Sequence, residues 1–150
     1  MIRKLLLVIA IGMMIVVLTQ CKSKNEDPGP QQNNDAQLEK LVATWNCTGA
    51  VKDAISQQGY DGFRLTLSGT PGSGSFGYAC AGRPAVSPWP ASGTWVFGSN
   101  RETDILLDNV LAVDYAVTDN QLELTFTFSG NGFNSRVAEV GGQWVFTFTK

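Results

Sequence analysis

Residues 121–128 read Gln121-Leu122-Glu123-Leu124-Thr125-Phe126-Thr127-Phe128, and residues 142–149 read Gly142-Gln143-Trp144-Val145-Phe146-Thr147-Phe148-Thr149. In the first stretch Leu122, Leu124, Phe126 and Phe128 take every second place. In the second, Trp144, Phe146 and Phe148 do so against Gln143, Thr147 and Thr149. A period of two belongs to a β-strand with one face in a core and the other in water. Working outward, the pattern recurs at Phe63, Leu65 and Leu67 and at Val113, Tyr115 and Val117. Further strands are expected over 45–51, 75–80, 94–98 and 104–107, about eight in all.

Between these runs stand Gly59-Tyr60-Asp61-Gly62, Gly69-Thr70-Pro71-Gly72, Gly98-Ser99-Asn100, Asp119-Asn120 and Gly130-Asn131-Gly132. Such residues accept turn dihedrals, and Asp119-Asn120 fits a two-residue hairpin. Connections this short cannot hold crossover helices, so the sheet is expected to be antiparallel and largely a meander. One short helix is expected around 35–41, capped by Asp35 or Asn34. Eight strands with one apolar face each must close or fold over. The fold class is therefore all-β, an antiparallel up-and-down barrel of about eight strands, with a flattened sandwich as the alternative.

Composition narrows the chemistry. The chain has 150 residues, no histidine, 11 Lys+Arg and 13 Asp+Glu, with a formal charge of −2. Without histidine, Ser-His-Asp and Cys-His catalysis and His-containing zinc sites are excluded. A charged fraction of 16 % offers no basic footprint for nucleic acid. Asp53, Asp61, Glu102, Asp104, Asp108, Asp114 and Asp119 fall mostly at strand ends and turns, form no recognisable acid pair, and match no EF-hand spacing. No enzyme, metal site or cofactor is expected.

The first residues carry an address. Arg3 and Lys4 precede 14 apolar residues, Leu5 to Leu18, the layout of a secretory signal peptide and too short for a membrane span. Leu18-Thr19-Gln20-Cys21 resembles the bacterial lipobox, with Gln20 where a small residue is usual. The resemblance implies cleavage after residue 20, lipidation (palmitate and related chains) on Cys21, and a protein anchored to a membrane without spanning it. Residues 21–36 read as a polar tether. Among resembling lipoproteins, Lys22 after the cysteine points to the outer membrane, on either face. Without residues 1–20 the charge becomes −4.

All 15 aromatics lie in the remaining domain, 37–150. The turn of helix from Leu38 into Val42-Ala43-Thr44-Trp45 resembles the opening of lipocalins, where the tryptophan plugs the closed end. Ser92-Gly93-Thr94-Trp95-Val96-Phe97, Leu122–Phe126 and Gly142–Lys150 are similar to the lipocalin-like domains of Bacteroidota lipoproteins. Ala43 stands where lipocalins have glycine, and the late arginine that packs on the first tryptophan has no identifiable counterpart. The resemblance implies a barrel that binds or carries a small, mainly hydrophobic ligand.

Cys47 and Cys80 are an even pair in an exported protein, so a disulfide is expected. Both face inward by parity. If they stood on strands one and three of a sheet, the axes would be about 9.5 Å apart, beyond the roughly 7 Å between α-carbons that a disulfide allows. The bond thus requires curvature, a bulge, or Cys80 in a loop; buried free thiols are the alternative.

The candidate ligand-binding residues are Trp45, Tyr78, Arg83, Trp89, Trp95, Tyr115 and Trp144. Trp89 sits in Pro88-Trp89-Pro90, within the longest expected connection. It either stacks on a sugar or apolar ligand or packs as a lid on its own core. Arg83 either meets an anionic headgroup or is solvated. The barrel either holds a ligand or is filled by its own rings. If filled, the expectation becomes a monomeric, non-catalytic module that contacts a protein or glycan through the 80–90 loop.

Overall fold

The computed structural model describes residues 30–129 and 140–150, with side chains from Ala36 onward. The expected signal segment, lipidated Cys21, most of the tether and the Gly130-Asn131-Gly132 turn lie outside the described residues. Among the described residues α1 (Pro30–Leu41), which begins before the Asn34 or Asp35 cap expected from the sequence, precedes nine strands: β1 (Ala43–Lys52), β2 (Ile55–Ser56), β3 (Arg64–Ser68), β4 (Phe76–Ala81), β5 (Ser92–Phe97), β6 (Asp104–Leu107), β7 (Leu111–Val117), β8 (Gln121–Phe128) and β9 (Gly142–Thr149).

Every neighbouring pair is antiparallel, and β9 returns to β1 from Asn46↔Thr149 to Lys52↔Trp144. That pairing closes eight strands into a barrel and excludes the flattened sandwich. The architecture is the one implied by the lipocalin resemblance. The two-residue β2 is the extra strand. It folds back on the end of β1 through Asp53 and Ala54, whose φ angles are 49° and 64°. A bulge between Cys47 and Gly49 lets β1 curve as it passes from β3 to β9.

Alternation works as the sequence indicates. Leu122, Leu124, Phe126, Phe146 and Phe148 are buried inside the barrel, while Gln121, Glu123 and Thr127 face water. The register sorts the connections by end. The β3–β4, β5–β6 and β7–β8 turns share one end with α1. The connections 53–63, 82–91 and 108–110 share the other, which we call the mouth. α1 seals its end by burying Leu38 and Leu41 and by a Gln37 amide hydrogen bond to the Glu102 carbonyl at 3.5 Å. The described helix and the barrel, which closes on itself within 43–149, both lie after Cys21.

The expected Cys47–Cys80 disulfide is not formed; both are free thiols. The reason is strand order. β3 runs between β1 and β4; Cys47 N–H bonds the Phe63 carbonyl at 2.9 Å, whereas Cys80 pairs with Leu65. The cysteines therefore stand two strand spacings apart and at different levels, and Cys80 is in a strand, not a loop.

Candidate functional site

The residues that converge are at the mouth, around Trp89. Pro84, Pro88 and Pro90 have no amide hydrogen, so the 82–91 segment cannot pair as a strand and crosses the barrel end instead. Its Ser87, Pro88 and Trp89 are buried, with Trp89 only 1 % exposed. The Trp89 ring lies 6.4 Å from Tyr78, 5.8 Å from Phe63, 5.4 Å from Phe126 and 5.6 Å from Phe146. Tyr78 belongs to β4 and Phe126 to β8, four places apart on the eight-stranded ring. Trp89 thus bridges the interior from wall to opposite wall.

Each such ring pair contributes about 0.5–1.5 kcal/mol beyond area burial. One polar atom opposes this. Among the described residues no acceptor reaches the Trp89 indole Nε1. A buried unpaired donor of this kind costs about 1–3 kcal/mol.

Tyr60 forms a second layer, 6.0 Å from Trp144, 5.1 Å from Phe146 and 5.9 Å from Phe63. Burial raises its phenol pKa, partly offset by a hydrogen bond from Ser87. Ser87 Oγ also accepts the Trp89 backbone N–H at 3.2 Å. Tyr78 is fixed by Asp108, whose Oδ2 accepts its hydroxyl at 2.5 Å and whose Oδ1 accepts Thr94 N–H at 2.8 Å. Burial first, then this bond and the Asp108 charge, drives the Tyr78 phenol far above its ordinary range.

Of the sequence-derived candidates, Tyr78 and Trp89 meet directly, and Trp144 joins them through Tyr60 and Phe146. Trp144 gives its indole N–H to the Val140 carbonyl at 2.8 Å. Trp45 is apart, buried with its N–H on the Leu41 carbonyl at 2.8 Å. Trp95 packs on Phe76 at 4.6 Å and donates to the Gly77 carbonyl. Tyr115 donates to the Arg101 carbonyl. Arg83 is half-buried beside Cys80, where its charge partly offsets the rise that burial imposes on the thiol. These four do not join the Trp89 cluster. Tyr60 and Ser87 were missed as site residues, since Gly59-Tyr60-Asp61-Gly62 reads as a solvated turn; a tyrosine between two glycines was the available signal.

The acids hold backbone. Besides Asp108, Asp104 accepts from Thr103 and from Asn100 N–H, and Asp53 accepts Gln143 N–H at 2.9 Å. On the outer face of β7, β8, β9 and β1, a groove of about 320 Å³ is lined by Thr48, Thr118, Gln121, Glu123, Thr147 and Thr149, among others. In comparisons with known proteins, no family model, no curated protein and no solved structure matches the chain.

Proposed function

We propose that this chain is a lipocalin-like lipoprotein of the Bacteroidota cell envelope whose barrel binds a small, mainly hydrophobic molecule without catalysis. Cleavage after residue 20 and acylation of Cys21 would hold it at the outer membrane as a monomer. The observation that carries the binding reading is the origin of Trp89. The wall strands leave an indole-sized space at the mouth side of the interior, and a connection, not a strand, fills it. An apolar body entering that space would gain the aromatic burial that Trp89 now has.

Native and denaturing mass spectra of the protein, extracted gently from its own membrane, test this. A discrete mass that denaturation releases supports a carrier and names its ligand class. Protein that stays bare after incubation with lipid and sterol mixtures overturns it. For the anchor, a Cys21→Ser chain that still fractionates with the outer membrane and still carries acyl mass would refute lipidation at that residue.

A second reading is favoured by the near-complete burial of Trp89: a filled barrel that meets a glycan or protein on its outside. Trp89 is then a lid and offers no ring to a partner. The threonine-lined groove on β7, β8, β9 and β1 becomes the contact surface. Glycan retention that is unchanged by Glu123→Ala with Thr147→Val would count against it.

A further inference from the structure

Three of the four rings around Trp89 meet it nearly edge to face, Tyr78 at 73°, Phe126 at 86° and Phe146 at 76°, with Phe63 tilted at 45°. Such an enclosure pairs ring edges with ring faces, so it favours a flat π system over a flexible alkyl chain, which has no quadrupole to match. The occupant it now holds comes from a connection between β4 and β5, not from a wall strand. Within the segment Ser87 Oγ accepts the Trp89 N–H, and Ser87 is also the group that partly offsets the rise of the Tyr60 pKa, which sets it beside the Tyr60 hydroxyl. At the segment's far end, Cys80 N–H bonds the Ala91 carbonyl at 2.7 Å, so both ends stay attached to the barrel if the middle moves. Departure of the ring would also give its unpaired indole N–H to water.

We infer that Trp89 is a built-in occupant of a binding site for flat aromatic molecules of one or two fused rings, which take its place when residues 83–90 swing outward. This rests on the reading of the barrel as a small-ligand binder and names the ligand class for it. Trp89 then sets affinity by competition: the free ligand must displace a tethered indole, and weakening the tether strengthens binding.

The test uses residues 22–150 with 5-fluorotryptophan at all tryptophans, the Trp89 signal being assigned by its loss in Trp89→Phe. Indole, 1-naphthol and decanoate are the probes. Indole and 1-naphthol should move the Trp89 fluorine signal toward its solvent value and leave those of Trp45 and Trp95 in place. Trp89→Ala should bind indole at least tenfold more tightly than the wild type. If Trp89→Ala does not fold, Ser87→Ala, which loosens the tether and leaves the ring, should show a gain of the same sign; an unchanged affinity there overturns the inference. Aromatic binding that leaves the Trp89 signal unmoved also overturns it, as does binding of decanoate alone, and in both cases the small-ligand reading stands. Failure of every probe in every folded variant, together with protein that is bare from its own membrane, sinks both.

Discussion

The ammonium of Lys150 lies 4.8 Å from the centroid of the Trp45 ring, joining the last residue after β9 to the third residue of β1. The cation on this ring is a lysine from beyond β9, where the sequence reading looked for an arginine. Lys150 is exposed, so its contribution is expected near the lower end for cation–π pairs, about 0.5–1 kcal/mol. Urea titrations should show Lys150→Met destabilised by that amount and Lys150→Arg close to the wild type.

Asp108 accepts two donors, the Tyr78 hydroxyl and Thr94 N–H, from a turn with φ of 50°. Asp108→Ala removes both acceptors and strains the turn, and a loss of about 2–3 kcal/mol is expected in chemical denaturation. Asp108→Asn keeps one acceptor oxygen and tolerates the left-handed backbone, so it should lose less than half as much.

Burial, with help from the charges of Glu102 and Asp104, pushes the Tyr115 phenol up to about 12 from its ordinary value near 10. The unfolded chain therefore loses this proton first as pH rises. Stability from Tyr115 is fully present below pH 10 and is lost between pH 10 and 12. Phenolate absorbance should show one tyrosine ionising near pH 12 and absent in Tyr115→Phe. Urea midpoints should fall less steeply over that window in the variant.

The thiols should be inert while the protein is folded. Burial raises both pKa values, that of Cys80 to about 12, and the nucleophile is the thiolate. Iodoacetamide at pH 8 should label neither Cys47 nor Cys80 of residues 22–150 in buffer and both in urea. A mass about 2 Da below the reduced formula, with no labelling in urea, would contradict the strand order.

Gly82 opens the mouth segment with φ of 67°, and a β-carbon there would lie 2.0 Å from the Gly62 carbonyl oxygen. Backbone faces backbone, so neither can yield by rotating a side chain. Gly82→Ala is expected to cost roughly 2–4 kcal/mol, read as a lowered melting temperature.

The strands were legible because each carries its own signature: alternation at Leu122–Phe128 needs no knowledge of the rest of the chain. What depends on distant partners was not. Parity placed Cys47 and Cys80 on the inner face, but only strand order could show β3 between them. β2 escaped notice because its turn uses Asp53 and Ala54 at positive φ, where sequence reasoning looks for Gly or Asn. Pro88-Trp89-Pro90 stood out as unusual. Its destination, between opposite walls, is set by Tyr78 and Phe126, which precede and follow it in the chain and stand on opposite sides of the barrel.

The seam between β1 and β9 also has a consequence in time. Asn46 can pair early with Arg64 of β3, but its other partner, Thr149, comes only with β9, and the rings of Phe146 and Phe148 complete a core that β1 begins with Trp45. A chain emerging from a ribosome or a translocation channel can pair β3 with β4, and β6 with β7, as local hairpins. It cannot close the cylinder until β9 has appeared. Until then β1 and β8 each have an open edge, the state most exposed to mispairing with another chain. The first strand made must wait for the last, so the closing of the barrel is set by the arrival of β9.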